Sequence, residues 1–439
     1  MPKSGWAKAR LNLIKRMNRL TLVLVTVALT VAVVLLVINF MGGEKKIERR
    51  VAQIHAVEDP QFAHELGSML GPAIVGGNQV TTLKNGDRIF PAMLKAIRSA
   101  QATITFESYI YWSGDIGREF SQALSERAQR GVKVHVLLDW VGSAKMDESL
   151  VNGMLEAGVQ IRKFHPPHWS HLGRLNNRTH RKILVTDGRT AFTGGVGIAP
   201  HWTGNAQDPD HWRDTHFQVE GPVVAQMQSV FLDNWIKATG EVLHGPSYFP
   251  LIAPLGTQAA QMFSSSPTGG SESMQLMYLL AITAAKRSID LSASYFVPDE
   301  LMHRTLIDAV RRGVKLRIIV PGEHIDSDTV RSASRAQWGG LLSAGVFIAE
   351  YKPTMFHCKV MIVDQLLVSV GSTNFDNRSF RLNDEATLNV MDSAFAAQQT
   401  QIFEEDLKLS RQITLAEWNN RPLREKLGEK LATLLSSQL

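Results

Sequence analysis

Residues 354–385 read TMFHCKVMIVDQLLVSVGSTNFDNRSFRLNDE, and residues 179–197, THRKILVTDGRTAFTGGVG, are an imperfect copy of their first part. Two spacings define the pattern. His357, Lys359 and Asp364 stand as H-x-K-x4-D, followed by G-S-x-N at Gly371, Ser372 and Asn374, and the copy supplies His180, Lys182 and Asp187. On a β-strand the side chains at i and i+2 leave the same face, so each His emerges beside its Lys while Arg181 or Cys358 turns away. An imidazole can attack phosphorus or carry a proton, and the neighbouring ammonium offers a compact charge to a non-bridging phosphate oxygen. One such triad is an ordinary occurrence on a strand. Two in equivalent contexts describe a phosphate-handling site built twice.

The duplication extends beyond the motif. Tyr109 and Tyr295, Gly131 and Gly313, Gly158 and Gly345, and His180 and His357 lie 186, 182, 187 and 177 residues apart. Near-constant offsets over half the chain mark a repeated α/β domain rather than a solenoid of short repeats. In each copy helical spacing, as in Ile89, Met93, Leu94 and Ile97, gives way to strand alternation, and a second helix, glycine stop and strand follow. Helices alternating with strands imply a largely parallel or mixed sheet covered on both faces. The expected organisation is a basic segment at 1–19, a membrane helix at 20–41, a connector at 42–77, and two domains at 78–250 and 251–439. Regular structure is expected to begin near Thr81, and a Pro-, Gly- and Ser-rich seam at 244–270 holds one short apolar run as a candidate strand. Each half carries one triad, so a site that needs two imidazoles lies where the halves meet.

The duplicated motif resembles that of the phospholipase D superfamily. Within it, FESYIYW (106–112), WRDTHFQVEGPVV (212–224) and GSTNFDNRSFRLNDE (371–385) look like the bacterial cardiolipin synthases, and the likeness runs from about residue 80 to the C-terminus. One departure stands out: Gly197 occupies a position where that family usually has Asn. The resemblance implies two tandem domains related by a pseudo-twofold axis, a site at their interface, and a phosphatidyl-histidine intermediate. It points to His180 as nucleophile and His357 as acid, although the sequence itself is symmetric with respect to that choice.

At 439 residues and 44% hydrophobic content, the chain has room for two ordinary domains with real cores. Cys358 is the one cysteine, which excludes a disulfide framework and a cysteine-rich zinc site, and its place on the strand reads as buried filler. Residues 20–41 carry no charge, and about 20 apolar residues cross a hydrocarbon core. The run is too long for a secretory signal, and FMGGEKK offers no small-residue cleavage site. Of the net charge of +6, the first 50 residues hold +8, ten Lys or Arg against two Glu, which leaves −2 on the remainder. A binder of nucleic-acid backbone would carry its basic excess on the folded part, so nucleic acid is not an expected partner. Six basic residues before the span and four after it favour a cytoplasmic N-terminus and an extracytoplasmic catalytic part, in a bacterial inner membrane.

Gly158 precedes His180 by 22 residues but Gly345 precedes His357 by only 12, so the first half has an insertion around FHPPHWSHLGRLNNRT. Pro166, Pro167, Trp169 and Gly173 make it a loop beside the catalytic His, expected to rim the site and exclude water. His165, His168 and His171 in it match no common ligand spacing and are joined by no carboxylate, so no metal and no cofactor are expected. Asp214, 34 residues after His180, and Glu385, 28 after His357, are the candidates to hold the far ring nitrogens and favour imidazolium. Lys182, Lys359, Asn374 and Ser372 are the candidate phosphate ligands. Asp187 and Asp364 belong to the motif, with bracing of the loop after the strand as plausible a task as direct chemistry. Leu423, Leu427, Leu431, Leu434 and Leu435 form a helical stripe expected to pack on the second domain.

The expected activity is a membrane-anchored phosphatidyltransferase that joins a phosphatidyl group to phosphatidylglycerol, with membrane phospholipids as its partners. A hydrolytic phospholipase D would use the same residues. A nuclease is disfavoured by the −2 balance, and a scaffold would not need two intact triads. Oligomeric state is not legible.

Overall fold

The computed structural model describes residues 4–40, 47–166, 176–267 and 273–433. Strands of the first half are β1 (Val75–Lys84), β2 (Thr103–Ser108), β3 (Lys133–Asp139), β4 (Gln160–Phe164), β5 (Arg178–Thr179), β6 (Ile183–Thr186), β7 (Thr190–Gly194) and β8 (Thr215–Glu220). The second half follows with β9 (Gln258–Ser265), β10 (Ser288–Ala293), β11 (Phe296–Val297), β12 (Lys315–Pro321), β13 (Phe347–Tyr351), β14 (Lys359–Val363), β15 (Leu367–Gly371), β16 (Phe375–Asp376), β17 (Asn383–Met391) and β18 (Ser410–Ile413). Spatial order is β1-β8-β7-β6-β2-β3-β4 in one half and β9-β17-β15-β14-β10-β12-β13 in the other, the same arrangement twice. β1 pairs antiparallel with β9, so the two sheets fuse edge to edge. The sheet is mixed, as the pattern implies: β2-β3-β4 and β10-β12-β13 are parallel, whereas β6-β7 and β14-β15 are antiparallel hairpins. The matched glycines Gly131, Gly313, Gly158 and Gly345 all have positive φ where a helix gives way to the next strand, which is why glycine recurs there.

Both hairpin turns place an Asp in the left-handed region, Asp187 at φ 53° and Asp364 at φ 51°. Each carboxylate then closes the start of the neighbouring strand. Asp187 accepts from the backbone N–H of Gln101, Ala102 and Thr103 at 2.7–2.9 Å, and Asp364 from Lys286, Arg287 and Ser288 at 2.7–2.8 Å. These three-donor clamps lock β6 to β2 and β14 to β10 at the ends of the strands remote from the histidines.

Two expectations are corrected. Regular structure begins before Thr81: a helix at Pro60–Leu70, capped by Asp59, lies inside the expected connector and β1 starts at Val75. Phe62, Leu66 and Leu70 of that helix bury in the core of the second half with Met274 and Met277. Its apolar spacing is short and flanked by polar residues, which hid it. The C-terminal helix Leu423–Ala432 does not pack by its leucines: Leu423, Leu427 and Leu431 are exposed, while Leu434 and Leu435 lie outside the described residues. The N-terminal helix Ser4–Phe40 contains an 18-residue apolar window of mean hydropathy 2.1, long enough to cross a membrane, with none of it buried against the rest of the chain.

The turn clamps give a stability test. Asp364 is buried, so Asp364→Ala leaves three backbone donors without their acceptor and is expected to cost at least about 2 kcal/mol. Thermal unfolding should shift down by several degrees while the folded fraction keeps its turnover. Loss of turnover in fully folded Asp364→Ala would return this residue to the chemistry.

Candidate active site

His180 follows β5 and His357 precedes β14, and each histidine segment is gripped by the opposite half. β5 runs parallel to β17 with Thr179 opposite Asp384, and the His180 N–H donates to the Asp384 carbonyl at 2.9 Å. In the same way Arg213 bridges Phe356, and the His357 N–H donates to the Arg213 carbonyl at 2.8 Å. The residue after each of these partners is an acid. His180 Nδ1 therefore lies 2.9 and 3.1 Å from the two carboxylate oxygens of Glu385, and His357 Nδ1 lies 2.7 Å from Asp214 Oδ2. Both candidate carboxylates reach an imidazole, but the pairing crosses between halves: Asp214 holds the second histidine and Glu385 the first.

The carboxylates are themselves fixed. Glu385 accepts from the Ser372 hydroxyl and from Asn383 Nδ2 at 3.2 Å; Asp214 accepts from the Thr215 N–H at 2.7 Å and from Trp202 Nε1 at 2.9 Å. Ser372, expected to bind phosphate, is fully buried and serves Glu385 instead. The first copy has Gly195 where the second has Ser372, and Gly197 where it has Asn374. A Cβ at Gly195 would sit 2.3 Å from Asp214 Oδ1, and one at Gly197 would sit 2.7 Å from Ile110 Cβ and 3.2 Å from Trp202 Cζ3. Asp214, Ile110 and the Trp202 ring thus fill the space that small polar side chains take in the second copy, and the Trp202 indole supplies the donor. That accounts for the missing Asn.

The lysines differ in the same sense. Lys359 Nζ donates to Ser294 Oγ at 2.8 Å, Ser294 passes a hydrogen bond to Asn374 Oδ1 at 2.7 Å, and the ammonium lies 3.2 and 3.3 Å from the two ring nitrogens of His357. With its oxygen taken, Asn374 has its NH₂ left to donate into the cavity it lines. Lys182 bonds the His180 carbonyl at 2.9 Å and lies 5.6 Å from the Tyr109 ring centre, with no counterpart of that relay. Both histidines and both lysines are buried. A cavity of about 370 Å³ opens on His180, Lys182, His357 and Asn374 from both halves, walled by Tyr109 and Tyr295. Asp187 and Asp364 are not part of it; the strand geometry that holds the turns carries them to the other end of β6 and β14.

Burial weighs on the protonation of every group at the site. It pushes His180 down to about 4 against the raising effect of Glu385, and His357 down to about 3 with the help of Lys359. Burial would raise Asp214 and Glu385, but the facing histidine holds each below the usual carboxylate range. Burial and then the charge of Lys359 lower Lys182 to about 7, and burial lowers Lys359 as well. Burial therefore opposes the imidazolium form that the carboxylates favour. Cys358 is buried behind the strand, its thiol pushed up to about 12 by burial, in keeping with a filler. Of the insertion, His165 is described, whereas His168, Trp169 and His171 lie outside the described residues.

Sequence reading did not find Trp202, Ser294 or the crossed pairing. Ser294 had a visible signal, since Ser108-Tyr109 and Ser294-Tyr295 are matched dipeptides; Trp202 had none, because its bond to Asp214 forms only in the fold.

Two His-Lys pairs at one cavity, set at the entrances to β6 and β14 and each with its imidazole oriented by a carboxylate of the other half, define a duplicated phosphodiester-transfer site of the phospholipase D type. The profile described as "Cardiolipin synthase, PLD-like domain" matches residues 93–235 and 278–407. Among curated relatives, cardiolipin synthase A of Pseudomonas syringae pv. syringae is 36% identical over 375 residues, covering 85% of this chain and 77% of that one. Cardiolipin synthase 2 of Bacillus anthracis is 33% identical over 401 residues, covering 90% and 77%. The chain belongs to this family. The fold is also that of the crystal structure of phosphatidylserine synthase from Haemophilus influenzae, with a TM-score of 0.67 at 13% identity over 86% of this chain and 100% of that one.

The lowered Lys182 predicts a pH dependence. This amine is cationic below about pH 7 and loses its charge above it, so affinity of the empty site for a simple phosphodiester anion should be full at pH 6 and weaken, approaching tenfold per unit, as pH rises beyond about 7. Calorimetric titration of diethyl phosphate from pH 6 to 9 measures this. Lys182→Arg should remove the step, and a flat profile in the unaltered protein would contradict the assignment.

Proposed function

We propose that the chain transfers a phosphatidyl group from one phospholipid to the glycerol hydroxyl of phosphatidylglycerol, forming cardiolipin. The observation that carries this reading is the pair of cross-braced histidines at one cavity with Lys182, Lys359 and Asn374; the names of the family relatives support it. His180, with Nδ1 committed to Glu385, attacks phosphorus through Nε2, and the bond to the departing alcohol breaks. His357 is the proton carrier at the other side. The Lys359 ammonium against its ring makes it the more acidic of the two, whereas at His180 the leading influence after burial is the raising one of Glu385. Entry of the phosphate anion between the two ammonium groups offsets their charge and lets His357 hold the proton that it gives to the leaving oxygen. In the second half-reaction His357 takes the proton of the incoming hydroxyl, the new P–O bond forms, and the bond to His180 breaks. The lysines and the Asn374 amide stand in for the divalent cation that many phosphoryl-transfer sites use.

The apolar N-terminal helix is read as the anchor, with six basic residues before its span and four after it favouring an extracytoplasmic catalytic unit. This keeps the cavity beside bilayer lipids and raises the local concentration of acceptor alcohols.

Expression in a host lacking cardiolipin, followed by lipid mass spectrometry, tests the reaction: cardiolipin is expected as the main product, and phosphatidic acid in its place would make the protein a hydrolase. His180→Ala and His357→Ala should each remove nearly all turnover, with the double variant scarcely worse, since the two act as one unit. EDTA should leave turnover intact. Substantial activity in either single variant would mean that one half works alone.

A further inference from the structure

The last helix, Leu423–Ala432, is inverted relative to its sequence pattern. Leu423, Leu427 and Leu431 share one face at i, i+4 and i+8 and are 77%, 65% and 66% exposed, whereas Glu429 is only 4% exposed. What holds the helix down is polar. Arg335, on the helix Asp328–Ala344, reaches Glu425 at 3.1 Å and Glu429 at 3.4 Å, Arg421 reaches Glu429 at 2.7 Å, and Trp418 Nε1 donates to the Arg335 carbonyl at 2.7 Å. The inward face thus takes up both acids of the helix. The outward face is left with three leucines between the exposed Arg424 on one flank and Lys430 on the other.

The inward side of the helix lies next to the catalytic cavity. Ala432 packs in one small cluster with Val297 and Val330, and Val330 lines the cavity that holds His180 and His357. An apolar stripe edged by cations is the pattern of a helix that lies in the headgroup region of an anionic lipid surface. A second copy of the chain fits it less well, because pairing two such stripes face to face would bring the cationic flanks of both together. We propose that the helix Leu423–Ala432 is a membrane-docking element that rests on an anionic bilayer and presents the mouth of the catalytic cavity to the lipid.

The full-length protein in proteoliposomes tests this. A polarity-sensitive fluorophore on Leu427→Cys should be quenched by lipids brominated on the acyl chain in vesicles containing phosphatidylglycerol, and less so in phosphatidylcholine alone. The combined variant Leu423→Ser, Leu427→Ser, Leu431→Ser should raise the apparent KM for phospholipid in vesicles by about tenfold or more. The same variant should be little changed toward phospholipid dispersed in detergent micelles, where no bilayer has to be met. These side chains are exposed, so its thermal unfolding should match that of the parent, and this is checked alongside. An unquenched probe, equal effects in vesicles and micelles, or quenching that tracks self-association in sedimentation experiments would each overturn the proposal, and none of them bears on which reaction the cavity catalyses.

Discussion

Each imidazole of the cavity owes its orientation to a carboxylate that belongs to the other half. Glu385 on β17 holds His180, Asp214 just before β8 holds His357, and the backbone bonds from His180 to Asp384 and from His357 to Arg213 fix the register in which this happens. A shift of one residue in either pairing would replace an acid by its neighbour and turn the side chains to the opposite face. The fused sheet answers that constraint. With β1 joined to β9, the two halves cannot slide independently, and the three-donor clamps at Asp187 and Asp364 pin the far ends of β6 and β14. The motif acids therefore act at a distance, as anchors of geometry rather than as participants.

Collecting two lysines and two histidines in a buried cavity is costly unless charge is compensated, because desolvation of an ion exceeds what a partial partner returns. The protein provides two carboxylates held below their usual range, and burial opposes the positive charge of the imidazoles and lysines alike. Two ammonium groups thus face two carboxylates, so entry of a monoanionic phosphodiester favours uptake of one proton by an imidazole. The asymmetry between the copies, with Trp202 bonded to Asp214 beside Gly197 on one side and Ser372, Ser294 and Asn374 on the other, differentiates two imidazoles that a perfect duplication would leave equivalent.

Much of this was legible in the chain. The repeated H-x-K-x4-D spacing, the near-constant offsets and the glycines after helices led to the doubled mixed sheet and to a site at the junction, since period-two alternation and glycine stops are local signals. The crossed pairing was not, because residues 205 and 143 positions apart meet only through the sheet. The helix Pro60–Leu70 was hidden by its shortness and polar flanks. The outward leucines of Leu423–Ala432 misled for a different reason: helical spacing identifies a face, and only Arg335 and Arg421 decide which face is turned inward.

The chain between the membrane helix and β1 has a kinetic consequence. Ile47 and Val51 pack on the core of the second half, Arg50 pairs with Asp308 at 3.2 Å, and the helix Pro60–Leu70 follows them into the same core. Only residues 41–46 separate that attachment from the end of the apolar helix, and a chain of that length reaches at most about 25 Å. Held in a bilayer by that helix, as proposed above, the enzyme would sample a two-dimensional population of lipids, and its turnover would follow the mole fraction of substrate in the surface around it, so that diluting the surface with inert lipid slows it even when the amount of substrate in the vessel is constant.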